Sequence, residues 1–419
     1  MKKSLLIALG ALCVAGLAGC RGGDSGTTSY GAEVEAAAIS KVMGGNVATV
    51  NNVTPIIAGQ TSELDGDKND NITVISKQLV NVNGVKAEVI VDWTYEDSFS
   101  SLVSSFHVLE GGDTNKVFDF NYPAQGAEAA AFEFTATPKC GTTTGSPVKY
   151  TVSLLAMKYI YPEYKLSEIL AVKEDNSCFV HVTDAAKGYW ESNNEAAGTA
   201  YMYITTYGKV TYLAPDGNWG LIADGSLYCE IYAGSGTKLN NKYFPGLQVG
   251  NWVAVRGEPS NYKGNVQIGY ISMIKQVEQG TMVEPASYKT MDEAYINGYH
   301  QFNGDMNAIF SVTGTYNGNV KNKNGVAITS ADQVPNDRYT FEINVGSKVL
   351  VIAMDYHTWK DDNGDQTALF SEYRDAIFGK SVGAAITVKG TLRFVMNGSS
   401  VFTNDGTFQL TPFLSGDIA

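Results

Sequence analysis

Two nine-residue stretches, VGNWVAVRG (Val249–Gly257) and VGAAITVKG (Val382–Gly390), share the pattern V-G-x-x-[VI]-x-V-[RK]-G. Alternating β-branched residues framed by glycines describe a strand entered through a tight turn and ended by a second glycine. Met twice in one chain, the pattern raises the expectation of one structural unit built twice.

The flanking sequence repeats in the same order. YMYITTYGKVTYL (Tyr201–Leu213) and FSVTGTYNGNV (Phe310–Val320) each read as a strand with a glycine in its middle, Gly208 or Gly314. GLIADGSLYCEIYAG is a hairpin about Asp224-Gly225, a strong two-residue turn, and RYTFEINVGSKVLVIAMDY (Arg338–Tyr356) is its counterpart. Setting Ser226 on Ser347 puts Cys229 on Leu350, which makes Cys229 a small core hydrophobe. GNVQIGYISMI and GTFQLTPFL supply the closing strands, and YKLSEIL (from Tyr164) is echoed ahead of the second unit by YKTMDEAY (Tyr288–Tyr295).

Five short strands, the first bent at a glycine, describe a small Greek-key barrel. The order of these motifs resembles the OB-fold, over residues 200–278 and 306–419. Upstream, VKAEVIVDWTY (Val85–Tyr95) and the run Ala131–Ala156 alternate as strands, and residues 35–157 read as an immunoglobulin-like β-sandwich with Trp93 in the place of a core tryptophan. The fold class is therefore mainly β: an N-terminal immunoglobulin-like β-sandwich followed by two OB-fold-like five-stranded Greek-key barrels, with connecting segments at 158–199 and 279–305.

Lys2 and Lys3 precede an uncharged apolar run, Leu5–Gly19, too short to span a bilayer and suited to a signal peptide. It ends in LAGC, Leu17–Cys20, which resembles the lipobox of bacterial lipoproteins. The resemblance implies cleavage after residue 19 and diacylglycerol on Cys20, hence a protein attached to a membrane by its lipid. An ordinary secretory signal with an incidental cysteine is the other reading. Residues 20–34, with RGGDSGTTSYG, read as a flexible tether. The arrangement as a whole resembles Bacteroidota surface lipoproteins of unknown function, in which an immunoglobulin-like region precedes OB-like domains. That implies the cell envelope, at the outer membrane or cell surface rather than the inner membrane. It departs from them in having only Asp24 as an acidic residue close to the lipid cysteine.

Without Lys2 and Lys3 the chain carries 28 basic and 43 acidic residues, a net charge of −15. Nucleic-acid binding draws most of its affinity from phosphate neutralisation, so this balance speaks against it. Besides Cys20, the mature chain would keep Cys140, Cys178 and Cys229, an odd number that argues against a full disulfide framework, though an oxidising compartment would allow a Cys140–Cys178 bridge. The histidines His107, His181, His300 and His357 lie far apart, in no zinc-binding pattern, and no G-x-S-x-G elbow occurs. RDAIFGKS (Arg374–Ser381) ends like a phosphate-binding loop but has Arg where the first glycine belongs. Asp65/Asp67/Asn69 and Asp361/Asn363/Asp365 with Glu372 alternate as calcium ligands do, but each set lacks a defining residue of an EF-hand loop, and Asp, Asn and Gly also make ordinary turns.

Residues 201–278 hold 12 aromatics with 6 basic and 5 acidic residues. Alternation puts Tyr207, Lys209, Tyr228, Tyr232 and Arg256 on the face away from the apolar stripe, a surface suited to stacking on sugars or bases; exposed tyrosines also stiffen strands by cross-strand pairing. The expectation is a non-catalytic, lipid-anchored binding or adhesion protein without metal or cofactor, meeting a membrane through its lipid and a glycan or envelope protein through the first barrel. Single-stranded nucleic-acid binding, a structural or protein-docking role, and a hydrolase built from unfamiliar carboxylates are the alternatives.

Overall fold

The computed structural model describes residues 28–109, 114–159, 161–170, 203–234, 238–239, 247–262, 265–298, 305, 307–361, 363–396 and 406–419. The signal peptide, Cys20, Cys178, His181 and His300 lie outside them.

The described residues begin with a helix where the sequence predicts a tether and then strands. In α1 (Ala32–Met43), Glu35, Ala38, Ile39 and Val42 fall at i, i+3, i+4 and i+7 and form the buried stripe. Glu33 and Glu35 in its first turn and Lys41 in its last match the helix dipole. The stripe packs on a sandwich of two sheets. One sheet runs β2 (Thr54–Pro55), β1 (Ala48–Val50), β4 (Ile72–Ile75), β8 (Asn115–Phe120), β7 (Val103–Val108). The other runs β3 (Thr61–Asp65), β11 (Val148–Leu155), β9 (Ala130–Cys140), β6 (Val85–Tyr95), β5 (Lys77–Val82), with the short β10 (Thr143–Thr144) on β9. The parallel pairing of β3 with β11 and the β6–β9 neighbours give the immunoglobulin-like layout; its edge strand β5 precedes β6. Trp93 of β6 is the core tryptophan, its ring tilted against those of Phe134 and Tyr150, with its Nε1–H donated to Ile75 O at 2.8 Å.

The first barrel is closed in the order β12 (Ile204–Leu213), β13 (Trp219–Asp224), β14 (Leu227–Tyr232), β16 (Asn265–Gln276), β15 (Trp252–Tyr262), and β15 returns to β12. The second has the same cycle from β18 (Ile309–Asn322), β19 (Tyr339–Val345), β20 (Lys348–Met354), β22 (Gly406–Thr411) and β21 (Ala385–Met396), with β17 (Lys289–Met291) added parallel to β18. In both, the third and fifth strands pair in parallel and the rest antiparallel, the OB-fold topology.

The two units agree residue by residue. Gly208 faces Val253 as Gly314 faces Ile386, and Ile204 faces Gly257 as Phe310 faces Gly390. Ile222 faces Cys229 as Ile343 faces Leu350, so Cys229, without accessible surface, does occupy the core. The motif glycines have two jobs. Gly250 and Gly383 turn at φ +99 and +87, whereas Gly257 and Gly390 let the fifth strand approach. A Cβ on Gly257 would stand 2.7 Å from Gly269 O, and one on Gly390 2.6 Å from Thr411 C. The entry segments also correspond, but three residues away from the YK echo. Glu163 bridges to Thr205 as Thr290 pairs with Ser311; hence α2 (Leu166–Ile169) matches α3 (Glu293–Gly298). This register sets Tyr161 against Tyr288 and explains the [RK] of the motif. Arg256 lies 3.9 Å from the Tyr161 ring centroid, and Lys389 5.7 Å from that of Tyr288.

Candidate binding cleft

Alternation assigns the outer face of the first barrel correctly, but that face is not one open surface. Tyr228 and Arg256 are each only 2 % exposed. The face is covered from two sides, by the sandwich over β12, β15 and β16 and by the second barrel over β13 and β14.

On the sandwich side, Arg256 donates from Nη2 to Asp67 O at 2.8 Å and Gly66 O at 3.3 Å, and from Nε to Ser272 Oγ at 3.0 Å. Lys275 reaches Phe120 O at 3.3 Å and Asn121 Oδ1 at 3.1 Å. These contacts leave a cleft of about 370 Å³. Its walls include Tyr122, Tyr159, Tyr161 and Tyr207, with Asn121, Gln125 and Glu163 as further polar groups. The rings are held in place. Tyr207 donates to Glu163 Oε1 at 2.7 Å, Tyr161 to Asp67 Oδ1 at 3.1 Å, and Tyr122 to Asp70 O at 2.5 Å. Burial pushes all three phenols above their ordinary range, so they remain O–H donors at neutral pH. Burial likewise holds the Lys275 ammonium below its ordinary value. Rigid aromatic faces beside amide, hydroxyl and carboxylate groups can stack on an apolar ring face while hydrogen-bonding its rim.

On the other side the two barrels pack together. Tyr212, Trp219 and Leu221 form an apolar patch with Phe413, the Tyr212 and Phe413 ring centroids 4.7 Å apart. Arg393 pairs with Glu230 and, at 3.5 Å, with Asp355; His357 pairs with Asp216. Tyr228 donates its hydroxyl to Ala286 O at 2.8 Å and packs with the second barrel's core. Tyr232 lines a smaller cleft, about 140 Å³, with Trp219, Gln267, Arg338, His357 and Arg393. Lys209 belongs to neither cleft: it pairs with Glu284 at 2.7 Å and lies 5.3 Å from the Trp252 ring centroid.

Of the five expected binding residues, then, Tyr207 and Arg256 meet in the larger cleft, Tyr232 lines the smaller one, and Tyr228 and Lys209 are spent on structure. Tyr159, Tyr161, Glu163 and Lys275 were missed. The first three stand in YIYPEY (Tyr159–Tyr164), whose aromatic density inside a connecting segment was the available signal.

Other sequence features resolve as structure. RDAIFGKS is the last turns of α4 (Ala368–Phe378) and its Gly379 cap. Asp361 Oδ1 accepts from the amides of Asn363 and Asp365, both at 2.9 Å, as in an ordinary turn. Asp65 and Asp67 serve a 3₁₀ turn and the joint to Tyr161. No cluster of three or more potential metal ligands occurs among the described residues. Cys140 is a free, buried thiol.

No protein-family model matches the chain, and no curated protein matches it. Solved structures match over about half of it. A murine DNA-binding protein solved with double-stranded DNA is 8 % identical over 50 % of this chain and 95 % of that one, with a TM-score of 0.26. A p204 HINb domain is 12 % identical over 49 % and 90 %, TM-score 0.23. A deletion mutant of the single-stranded DNA-binding protein from Thermus aquaticus is 11 % identical over 52 % and 92 %, TM-score 0.16. At such scores the likeness carries nothing about ligand.

Proposed function

We propose that this chain is a lipid-anchored, extracytoplasmic binding protein without catalysis, and that its ligand is a glycan held between the sandwich and the first barrel. The observation that carries the reading is the cleft itself, with four tyrosine rings in its walls, three of them fixed by hydrogen bonds, and its amide and carboxylate rim. Fixed rings lose little entropy on binding, which suits a weakly hydrophobic, hydroxyl-rich ligand. The anchor rests on the lipobox-like LAGC; intact mass of the cell-derived protein should carry diacylglycerol, and a Cys20→Ser chain should lack it.

Single-stranded nucleic-acid binding is the second reading, favoured by the OB topology. In that fold the face of the second and third strands receives oligonucleotides. Here that face of the first barrel is covered, with Trp219 3 %, Leu221 1 % and Glu230 5 % exposed. A net charge of −13 also opposes a polyanion that needs a long basic track.

The test is a titration of the full-length chain in detergent against polysaccharides and single-stranded oligonucleotides, at low and moderate salt, with Tyr159→Ala as control. Saccharide binding that survives salt and falls at least tenfold in the variant is expected. Oligonucleotide binding that weakens steeply with salt, or saccharide binding indifferent to Tyr159, would overturn the glycan reading.

A further inference from the structure

Arg256 and Lys275 project from the outer face of neighbouring strands, where Arg256 pairs with Met273 and Lys275 with Ala254. They are therefore diagonal neighbours, about 7–8 Å apart at the backbone. Both line the larger cleft. Buried lysines and arginines are ordinarily paired with a carboxylate, yet among the described residues neither forms an ion pair within 4 Å.

The nearby carboxylates are spent elsewhere. Asp67 accepts from Lys158 N at 2.8 Å and from Tyr161 Oη, Glu163 accepts from Tyr207 Oη, and Asp119 accepts from Ser105 Oγ at 3.0 Å beside His107. The acceptors of both cations are the oxygens of peptide and amide groups, plus one hydroxyl. Donors remain unused: both N–H groups of Arg256 Nη1, and one of the three on Lys275 Nζ. Two adjacent cations without a direct carboxylate partner also repel each other, although Asp119 and Glu163 act on Lys275, and Asp67 and Asp65 on Arg256, from beyond contact. Burial holds the Lys275 ammonium down; Asp119 opposes it, the Arg256 charge adds to it, and Glu163 opposes more weakly.

We infer that the ligand of this cleft is an acidic glycan, whose carboxylate or sulfate group supplies the direct anionic partner that Arg256 and Lys275 lack and takes up their unused donors. This deepens the glycan reading and rests on it. The tyrosines would hold a ring and the two cations its anionic substituent, a charge-assisted contact stronger than a hydroxyl could make there.

The test compares ligands on the full-length chain by titration calorimetry: an oligouronate, its carboxyl-reduced counterpart of the same length, and a sulfated oligosaccharide. A carboxyl-reduced ligand at least tenfold weaker than the oligouronate is expected, the gap closing in Lys275→Gln. If Lys275→Gln does not fold, the ligand comparison alone decides. Preference for the sulfated chain over the uronate would assign the anion as sulfate and keep the proposal. Equal affinity for acidic and reduced chains would overturn it and leave the glycan reading standing. No saccharide binding at all, or a preference for a single-stranded oligonucleotide, would overturn both.

Discussion

Gly390→Ala should destabilise the second barrel because the added methyl has nowhere to go. Its Cβ would lie 2.6 Å from Thr411 C and 2.9 Å from Pro412 N, backbone atoms at the end of the neighbouring strand and just beyond it. Relief to ordinary van der Waals distance requires β22 to retreat by roughly 1 Å, which strains its ladder with β21 and β20. Overpacking of this kind costs about 1–3 kcal/mol, and a weakened ladder bond adds about 0.5–1.5 kcal/mol. Gly383→Ala in the same motif meets open space, and only its φ of +87 opposes a side chain, for about 1–2 kcal/mol. Amide hydrogen exchange in β19 and β20 across a urea series reads the second barrel separately from the rest. The expected order of stability is wild type, then Gly383→Ala, then Gly390→Ala, and Gly257→Ala should do to the first barrel what Gly390→Ala does to the second. If Gly390→Ala matched wild type, or ranked above Gly383→Ala, the assignment of different jobs to the motif glycines would be wrong.

Glu35 lies without accessible surface, and its carboxylate accepts from Tyr30 N, Thr142 N and the hydroxyls of Thr142 and Thr143. These bonds lower its pKa from 4.5 to about 2. A depressed carboxyl stabilises the fold fully above about 4.5 and loses that contribution as pH falls toward 2, so the stability advantage of wild type over Glu35→Gln should shrink across that window in denaturation curves. An advantage that grew on acidification would contradict the hydrogen-bond assignment. Between the barrels, Arg393→Ala leaves Glu230 without its cation and Asp355 with Arg338 alone, at a cost of about 3–5 kcal/mol. Arg393→Met with Glu230→Met should recover part of that in the same urea assay, and no recovery would mean the pair does more than balance charge.

Much of the fold was legible because local pattern and global packing agree. The glycine spacing and the register from Ser226 and Ser347 located both barrels, and alternation put Tyr207, Tyr228 and Arg256 on the outer face. What covers that face depends on contacts distant in sequence, Gly66 and Asp67 over Arg256 or Ala286 over Tyr228, and periodicity within one strand carries no trace of them. The helix at Ala32–Met43 was hidden by its flank of glycine and threonine, although its i, i+3, i+4, i+7 stripe was present. The YK echo misled for a related reason, since it matches identities while the entry strands match by backbone pairing, three residues away.

The most direct test of the cleft as the ligand site is hydrogen exchange of the full-length chain with and without a saturating acidic oligosaccharide. Ligand held between the sandwich and the first barrel should slow exchange at residues 120–125, 157–163 and 205–207, with the second barrel unchanged. Protection confined to the second barrel or to the seam between the barrels, with none at those segments, would contradict the account.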